Sequence, residues 1–259
     1  MNGLAMSQQH NINMITYVIN MAGAVARMEH MKSQLSAAGL AYVRQEGVVG
    51  AQLTEPHEHF SKWSYRYLHG RGWAPRELGC YLSHIECLKK FVASEHDYAL
   101  ILEDDATVDQ NLLSILTKAT QFSEHWNMLR LSTVNRGKWF PVRNIGNHNL
   151  SVCLSREKGA GGYLVDRKAA QIMVRKLLPM RLAWDIAFDL EWFLGFKTLG
   201  VYPMPIQQDG FDTQIQQDLY NIKIKGYAKY ATVFPFRTFL EVTRLLYRSY
   251  RLLRLKLWS

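Results

Sequence analysis

The sequence predicts an α/β domain, because strand-like apolar segments alternate with helical segments along the chain. The first of these segments are a β-branched strand at 15–19, a helix at 24–38 that ends at Gly39, and a short strand at 41–43. A strand–helix–strand opening is typical of a parallel sheet. The chain has 259 residues, of which 48% are apolar and 20% charged, and it is therefore long enough to bury one sizeable core.

The rest of the chain continues this alternation. An amphipathic helix is predicted at 77–94, and the apolar run at 98–102 is typical of a buried strand. Two segments, 46–75 and 135–149, show neither pattern and are predicted to be long loops, which in a compact domain are often functional. The remaining predicted elements are a helix at 110–122, a helix capped by Asp166 that reaches 178, a helix at 184–194, and strands at 128–132, 163–165 and 198–202.

Composition divides the chain into three parts. Residues 1–13 are polar and aperiodic and are predicted to be a flexible leader, residues 14–233 form the α/β domain, and residues 234–259 form a basic tail. We expect no secretory signal, because the first residues lack a basic stretch followed by an apolar one. We also expect no membrane-spanning helix, since no run of about 18 apolar residues is free of charge. Three cysteines without close metal-ligand spacing indicate a reducing compartment.

Three consecutive acidic residues, Glu103, Asp104 and Asp105, follow the strand at 98–102. Carboxylates held this close repel one another unless a cation or another partner compensates them. Because side chains alternate along an extended segment, Glu103 and Asp105 are expected on one side and Asp104 on the other. Such oxygen ligands suit a hard divalent ion, Mg²⁺ or Mn²⁺, that is shared with a diphosphate. The alternative is an acidic turn between a strand and a loop.

Three short motifs carry a further signal. They are Val18-Ile19-Asn20-Met21, Gly79-Cys80-Tyr81-Leu82-Ser83-His84 and Leu100-Ile101-Leu102-Glu103-Asp104-Asp105. In this order they resemble glycosyltransferase family 25, the sugar transferases of bacterial lipooligosaccharide synthesis, some of which are β-galactosyltransferases. The resemblance covers about 14–213, and its central block is the most specific part because two motifs recur at the expected separation.

The resemblance implies a GT-A type nucleotide-sugar transferase, with a Rossmann-like, mostly parallel sheet flanked by helices. It also implies a UDP-sugar donor, usually UDP-galactose, a bound Mn²⁺ or Mg²⁺, and inversion at the anomeric carbon. Asp105 matches the carboxylate expected to touch the metal, and Glu103 matches the one expected to meet the ribose or a metal-bound water. Asp104 stands between them and is expected near the donor. A metal held in this way would stabilise the charge that develops on a departing diphosphate.

Other donor contacts are expected around the same motifs. Asn20 stands at the carboxyl end of the first strand, where open α/β sheets bind nucleotides. Arg27 either pairs with a phosphate or is a solvated helix residue. Glu77 either serves the site or stabilises the dipole of its own helix. Ser83 and His84 belong to the second motif. His84 either contacts the donor or the acidic loop, or it is satisfied by nearby backbone.

Small residues and a late loop complete the expected donor site. The resemblance places Gly161 and Gly162 beside the donor sugar, where the lack of a side chain lets the backbone approach a ligand. A tight turn is the alternative. The segment at 205–209 resembles a late Pro-x-x-x-Gln segment of the family, so Gln208 or Asp209 is expected to be a further metal ligand. The next residues, 212–215, depart from the family pattern.

An inverting transfer needs a base that takes the proton of the acceptor hydroxyl. By the resemblance, Asp185 occupies the position of this base. Asp189 and Glu191 follow closely and remain rivals, and an N-cap role for Asp185 is the structural alternative. Trp184, beside it, is either a core residue or a ring that stacks on a sugar.

The basic tail is predicted to be an amphipathic helix in a membrane interface. The formal net charge of the chain is +9, and residues 234–259 contain six basic residues and one acidic residue. In a helix, the arginines form one stripe, together with Glu241, that is expected to meet anionic lipid through Arg237, Arg244, Arg248 and Arg251. The apolar residues expected opposite this stripe are Phe239, Val242, Leu246, Leu253 and Leu257. The alternative is a helix on the domain with its basic face in water. Binding of nucleic acid is not expected, because no recognition motif accompanies the charge.

The predicted function is therefore metal-dependent transfer of a hexose, most simply galactose from UDP-galactose, to a lipid-linked lipooligosaccharide acceptor. Such an enzyme is expected in the cytoplasm, peripherally bound to the inner face of the bacterial inner membrane. Two alternatives stay open. One is another UDP-sugar transferase, such as a glucosyltransferase, or a nucleotidyltransferase. The other is a non-catalytic, membrane-associated binding module of the same fold.

Overall fold

A computed structural model describes residues 12–135, 137–208 and 227–257. The strands of these ranges are β1 (Met14–Asn20), β2 (Val43–Glu46), β3 (Tyr98–Glu103), β4 (Ala106–Val108), β5 (Met128–Arg130), β6 (Trp139–Asn144), β7 (Asn149–Cys153), β8 (Gly162–Asp166), β9 (Thr198–Tyr202) and β10 (Ile206–Gln208). The longer helices are α1 (Val25–Ala37), α2 (Pro75–Val92), α3 (Leu112–Thr120), α4 (Arg167–Lys176) and α5 (Val233–Leu257). Short helical segments are Gly50–Gln52, Lys62–Ser64, Tyr65–His69, Ser123–His125, Trp184–Ala187, Glu191–Leu194 and Ala228–Ala231.

Eight strands form the central sheet, in the order β2-β1-β3-β8-β5-β9-β7-β6. The first three are parallel, as are β5 and β9, whereas β8 and β7 run against their neighbours. Most strands therefore point in one direction, although the two reversed strands make the sheet mixed. The predicted α/β class, with a mostly parallel sheet flanked by helices, is confirmed.

Two hydrophobic cores cover the two faces of the sheet. Ala99 and Ile101 of β3 belong to the core under α2 and α4, and Leu100 and Leu102 belong to the core under α1 and α3. Alternate residues of a strand point to opposite faces, so β3 is buried on both sides. This double burial explains why the strand reads as a continuous apolar run rather than as an alternating one.

A second, two-stranded sheet shapes the end of β3. After the acidic triplet, β4 pairs with β10 in antiparallel register, so that Ala106 lies opposite Gln208. The late loop is thereby fixed against the acidic triplet, although about a hundred residues separate them in the sequence. Neither of these short strands was predicted.

Several element boundaries differ from the predictions. The predicted loop at 135–149 contains β6 and the start of a hairpin with β7. The predicted helix at 184–194 is two short helices, because residues 188–190 leave the helical conformation. The predicted loop at 46–75 contains a π-helical turn at Tyr65–His69, which ends at Gly70 with a positive φ of 84°. Such irregular turns are stabilised by tertiary contacts, which local pattern does not reveal.

The tail contains the predicted helix, α5, but its predicted orientation is wrong. Arg244 and Arg248 are buried in the domain, and Arg251 donates hydrogen bonds to the carbonyl oxygens of Thr198 and His125 at 2.8 and 2.7 Å. Arg244, Arg248 and Arg251 therefore face the protein and do not face lipid, whereas Arg237 at the start of the helix remains exposed. The large apolar residues exposed on the other side are Phe239, Val242, Leu245, Leu246, Tyr250, Leu253 and Leu257. Across the described ranges, every helix is too short or too polar to span a bilayer.

Candidate active site

A cavity of about 720 Å³ lies at the end of β3 and is lined by charged side chains of both signs. Its acidic lining residues are Glu77, Glu103 and Asp185. Its basic lining residues are Arg71, Arg156, Lys158, Lys229 and Arg237. Groups that can hold a cation or take a proton thus lie in the same cavity as groups that can hold phosphate.

The three acidic residues point in two directions, which confirms the predicted alternation. Oε2 of Glu103 accepts a hydrogen bond from Nε2 of Gln208 at 2.9 Å. Asp105 also accepts a hydrogen bond from Gln208. Asp104 instead accepts a hydrogen bond from Nδ2 of Asn20 at 2.6 Å, away from Gln208. Glu103, Asp105 and Gln208 therefore form one cluster, here called the acidic cluster.

The acidic cluster has the features of an oxygen-ligated cation site. Oδ1 of Asp105 and Oε1 of Gln208 are buried and lack a hydrogen-bond partner within the described ranges. Burial and the nearby charge of Glu103 raise the pKa of Asp105 to about 6. Two carboxylates and an amide oxygen are ligands that Mg²⁺ and Mn²⁺ accept, so the residues present fit such an ion. Asp209 and the segment 212–215, which were considered with Gln208, lie outside the described residues.

His84 supports the acidic cluster from the core. Its Nε2 lies 3.2 Å from Oε1 of Glu103, and its Nδ1 lies 3.2 Å from the hydroxyl of Tyr163. The imidazole stacks on the ring of Trp184, with centroids 4.8 Å apart and planes 7° apart. Because His84 is fully buried, it fixes the position of Glu103 and does not line the cavity. Of its predicted roles, contact with the acidic strand is the one the structure shows.

Cys80 is a further neighbour of Glu103, and it was not predicted from the sequence. Its Sγ lies 3.9 Å from Oε1 of Glu103, and one ligand atom each from Cys80, His84 and Glu103 lies within 4.8 Å of the others. Burial, with the charge of Glu103 adding to it, raises the pKa of the Cys80 thiol well above its ordinary value. A protonated thiol is a poor metal ligand, so the oxygens of Asp105 and Gln208 suit a cation better. The spacing of four residues between Cys80 and His84 on one helix was the available signal.

A second polar group forms at the carboxyl ends of β1 and β3. Asp104 pairs with Arg27 at 3.1 Å, and Asn20 accepts a hydrogen bond from Nε of Arg44 at 2.9 Å. Asn20 also donates to the carbonyl oxygen of Ala24 at 3.0 Å, which fixes the start of α1. Arg27 is thus an ion-pair partner of Asp104 and lies outside the lining of the large cavity. This edge of the sheet is where open α/β folds bind nucleotides.

Asp185 lines the cavity at the start of a short helix. The backbone N–H of Gly159 donates to its carboxylate, while Arg130 donates to the carbonyl oxygens of Asp185 and Gly159 at 3.3 and 3.1 Å. Burial raises the pKa of Asp185, and the charges of Arg130 and Arg156 oppose this rise without cancelling it. A partly buried carboxylate with a raised pKa is suited to accept a proton.

Asp189 and Glu191, the rival candidates for the base, do not reach the cavity, and this part of the prediction is corrected. Asp189 is fully buried and lies 3.1 Å from Arg130 and 3.0 Å from Arg248. Burial acts to raise the pKa of Asp189, but the charges of Arg248, Arg130 and Arg244 outweigh it and lower that pKa. Glu191 accepts two hydrogen bonds from Arg248, at 2.8 and 2.9 Å. Both carboxylates hold α5 on the domain.

The structure also gives Ser83 and the two glycines structural contacts. Ser83 donates to the carbonyl oxygen of Gly79 at 2.7 Å and accepts from the N–H of Val48 at 2.9 Å, so it ties a loop to α2. A Cβ on Gly161 would lie 2.5 Å from the side chain of Gln208, and one on Gly162 would lie 2.4 Å from Ile206. The space that these glycines leave is thus filled by β10, and not by a ligand as predicted.

Glu77 lies at the cavity but is already compensated. It pairs with the guanidinium of Arg71 and accepts a hydrogen bond from the hydroxyl of Tyr65. Burial raises the pKa of Glu77, although both partners oppose the rise. Its charge is therefore shared with its neighbours, and it orients Arg71 at the cavity wall.

The basic lining residues were missed by the sequence analysis. Arg71 lies in the predicted loop at 46–75, and Arg156 and Lys158 lie between β7 and β8. They meet only in the folded chain, together with Lys229 of the short helix Ala228–Ala231 and Arg237 of α5. His69, beside them, is buried, and this burial lowers its pKa to about 3, so that it is neutral.

Comparison with known families identifies the chain. Residues 13–188, more than half of the sequence, match the family described as glycosyltransferase family 25 (LPS biosynthesis protein). The chain belongs to glycosyltransferase family 25. The predicted resemblance is thereby confirmed, and the protein is a glycosyltransferase.

Two relatives show how far this family 25 chain has diverged. It is 24% identical over 207 residues to the lipooligosaccharide biosynthesis protein lic2B of Haemophilus influenzae, covering 76% of each chain. It is 21% identical over 198 residues to the lacto-N-neotetraose biosynthesis glycosyltransferase LgtE of Neisseria meningitidis serogroup B, covering 71% of this chain and 68% of the relative.

Solved structures resemble the chain more distantly. One is a glycosyltransferase involved in glycosylation of the major capsid of PBCV-1, with a TM-score of 0.40 and 12% identity, covering 80% of this chain and 98% of that one. Another is A197 from STIV, with a TM-score of 0.41 and 11% identity, covering 73% of this chain and 81% of that one.

Proposed function

We propose that this glycosyltransferase transfers a hexose, with galactose from UDP-galactose as the first candidate, to a sugar of a lipooligosaccharide acceptor with inversion. The main support is a single cavity that is lined both by Glu103 and Gln208 of the acidic cluster and by Asp185. Membership of family 25, and similarity to proteins of lipooligosaccharide biosynthesis (lic2B) and lacto-N-neotetraose biosynthesis (LgtE), support the acceptor class.

The donor is proposed to bind across the end of β3. Asn20, at the carboxyl end of β1, and Arg44 of β2, which donates a hydrogen bond to it, offer polar contacts for the nucleoside. Arg156 and Lys158 line the cavity and offer positive charge to the diphosphate. Asp104 holds Arg27 and Asn20 in place and so supports the nucleoside contacts indirectly.

The acidic cluster is proposed to hold Mn²⁺ or Mg²⁺ through Asp105, Glu103 and Gln208. A divalent ion bound there would neutralise the charge of the departing diphosphate. The orphaned oxygens of Asp105 and Gln208 are the observation that supports this assignment. His84 contributes by holding Glu103 in position.

Asp185 is proposed to act as the base. The acceptor hydroxyl oxygen attacks the anomeric carbon, the bond from that carbon to the diphosphate oxygen breaks, and UDP leaves with the bonding electrons. The hydroxyl proton passes to the carboxylate of Asp185, whose raised pKa favours acceptance. Arg130 keeps the backbone of Asp185 and Gly159 in place during this transfer.

The proposal is tested by a donor screen that reads UDP release with a lipooligosaccharide extract, in Mn²⁺, in Mg²⁺ and in chelator. We expect the highest rate with UDP-galactose and a divalent ion, and loss of that rate in chelator or in Asp105→Asn. Asp97→Asn removes one exposed carboxylate just before the start of β3, at the opposite end of the strand from Asp105, and should behave like wild type. If Asp105→Asn is as active as wild type, the metal assignment is wrong. If no nucleotide sugar supports transfer, the proposed function is wrong.

A second readout tests the ion without catalysis. Binding to the native state alone stabilises a protein, by about 2.7 kcal/mol when the ligand is at 100 times its Kd. Mn²⁺ should therefore raise the Tm of wild type and of Asp97→Asn, but not that of Asp105→Asn. The same rise in all three proteins would contradict the assignment of Asp105.

We further propose that the enzyme works in the cytoplasm at the inner face of the bacterial inner membrane, where a lipid-linked acceptor is presented. The support is the acceptor class suggested by the relatives, together with a tail helix that exposes apolar side chains. Assay of the membrane and supernatant fractions of cells that express the full chain tests this location.

A further inference from the structure

The outer side of α5 carries a continuous row of exposed apolar side chains. Leu246, Leu253 and Leu257 are 67%, 63% and 82% exposed. Phe193, from a neighbouring short helix, stacks on Phe239 with ring centroids 5.8 Å apart and extends the row sideways. The complete set, here called the apolar face, consists of Phe193, Phe239, Val242, Leu245, Leu246, Tyr250, Leu253 and Leu257.

The spacing along α5 shows that the apolar face is one surface. Residues 239, 242, 246, 250, 253 and 257 are three or four positions apart, so they lie on one side of the helix. The row from 239 to 257 is about 27 Å long at about 1.5 Å per residue. Contiguous apolar surface of this length is uncommon on proteins without a partner and marks an interaction site.

The opposite side of α5 explains why these residues remain exposed. Arg244 and Arg248 are committed to the buried carboxylates of Asp189 and Glu191, and this fixes the rotation of the helix. The helix therefore cannot turn to bury its apolar residues without breaking these ion pairs. The apolar face is thus held outward by the structure.

A basic cavity of about 400 Å³ adjoins the C-terminal half of the apolar face. Arg251, Arg254 and Lys197 line it with Tyr250, which belongs to both surfaces. The guanidinium of Arg254 lies 5.9 Å from the centre of the Tyr250 ring. Glu124 is the one acidic residue in this lining, within the described ranges, so the cavity has a positive excess that suits a phosphate.

We propose that the apolar face lies on an anionic phospholipid bilayer, with its side chains in the boundary between headgroups and acyl chains and a headgroup phosphate at the basic cavity. The apolar row supplies buried area, and the adjoining cations supply attraction to anionic lipid. Tyrosine at the junction suits an interface in which one end of the ring is apolar and the other is wet. This inference deepens the membrane location in the proposed function, but binding itself does not depend on sugar transfer.

Charge favours a bilayer over a second copy of the chain as the occupant. The single acidic residue of α5, Glu241, pairs with Arg244, while Arg254 and Lys256 lie at the exposed end of the helix. Two copies pairing through this face would bring together the same excess of positive charge. An anionic lipid surface complements that charge.

Vesicle flotation of the full-length chain tests the proposal. The vesicles contain either phosphatidylglycerol with phosphatidylethanolamine or phosphatidylcholine alone. Leu246→Glu with Leu253→Glu places two charges in the apolar face without touching a buried residue. Ser33→Glu with Ser36→Glu adds the same charge at exposed positions of α1 and is the matched control. We expect binding of wild type and control to the anionic vesicles, and at least about tenfold weaker binding of the apolar-face variant.

A second variant tests the basic cavity. Arg254→Gln removes one cation and should weaken binding to anionic vesicles by about fivefold, while binding to neutral vesicles changes little. Transfer of sugar to a lipid-free oligosaccharide is measured in parallel for every variant and should be unchanged. Loss of vesicle binding with transfer retained therefore reports on the apolar face, and loss of transfer in wild type reports on the proposed function.

Three results would overturn the inference. The first is that the wild-type protein binds neither kind of vesicle, which would mean that another part of the chain covers the apolar face. The second is equal binding by wild type and by Leu246→Glu with Leu253→Glu. The third is a wild-type dimer in vesicle-free buffer that this variant dissociates, which would assign the face to a second copy.

Discussion

Asp185 and Asp189 are four positions apart in the sequence, yet they lie in opposite electrostatic environments. Burial raises the pKa of Asp185, which lines the cavity, whereas three guanidinium groups lower the pKa of Asp189, which is sealed in the interior. Arg130 touches both, through the backbone of Asp185 and the carboxylate of Asp189. An aspartate is therefore a candidate proton acceptor at position 185 and a structural ion-pair partner at position 189. The difference lies in the surroundings of the two carboxylates.

The largest expected effect is on activity at Asp185. Asp185→Asn keeps the shape of the side chain but removes the proton acceptor, so kcat should fall by about 10²- to 10⁴-fold. Folding should not suffer, because a partly buried charge with a raised pKa is removed. UDP release and urea unfolding measure the two quantities. Near-normal turnover in this variant would rule out Asp185 as the base.

The next effect is on stability at Asp189. Asp189→Asn leaves Arg130, Arg244 and Arg248 without their shared anion, and breaking a buried pair costs about 3 to 5 kcal/mol. Urea unfolding followed by circular dichroism measures this loss. A loss no greater than that of Asp185→Asn would show that the two carboxylates have been assigned the wrong way round.

Stability as a function of pH should separate the same two residues by sign. The ordinary pKa of Asp is about 3.9. The raised pKa of Asp185 means that its contribution is present at low pH and is lost as pH rises through the folded value. The lowered pKa of Asp189 means that its contribution is present above about 3.9 and is lost as pH falls through the folded value.

Difference curves of wild type minus each Asn variant, measured by urea unfolding between about pH 3 and pH 8, give these contributions. Wild type should lose stability relative to Asp185→Asn as pH rises, and gain stability relative to Asp189→Asn. The acidic limb of kcat/KM should also lie above pH 3.9 or so, because Asp185 must be ionised to accept a proton. If both difference curves change in the same direction with pH, the opposite environments assigned to Asp185 and Asp189 are wrong.

The smallest effect is expected at Glu241, the exposed partner of Arg244. The Glu241 carboxylate is half exposed and screened by solvent, and Arg244 keeps Asp189 as a partner, so Glu241→Gln should change the free energy of unfolding by less than about 1 kcal/mol. Thermal unfolding of Glu241→Gln beside Asp189→Asn provides the measurement. A loss as large as that of Asp189→Asn would mean that burial does not set the strength of these pairs.

Local sequence pattern predicted the helices and strands better than it predicted which residues surround each side chain in the fold. Met14–Asn20 and Tyr98–Glu103 are strands where apolar runs indicated them, and the alternation of side chains correctly separated Asp104 from Glu103 and Asp105. The short strands at 106–108 and 206–208 were not predicted, because each is defined by its pairing with the other. Such a pairing joins distant segments and leaves no local periodicity.

The basic tail shows that local pattern also does not reveal whether a charged side chain is buried. The sequence predicted that the arginines share one side of α5, and the structure agrees. It did not predict that this side is buried, because Asp189 and Glu191 lie some fifty residues earlier in the chain. A basic stripe normally faces water, since desolvation of charge is unfavourable. It can be buried when carboxylates from distant parts of the chain form ion pairs with it.

The sequence by itself determined the α/β class, the acidic end of β3 and membership of the sugar-transferase family, because periodicity and short motifs are local properties of the chain. The tertiary structure alone decided which carboxylate faces the cavity, which cations gather there, and which side of the last helix is exposed. The physical reason is that burial and countercharge depend on segments brought together by folding, and these two quantities set the charge state and accessibility of each group.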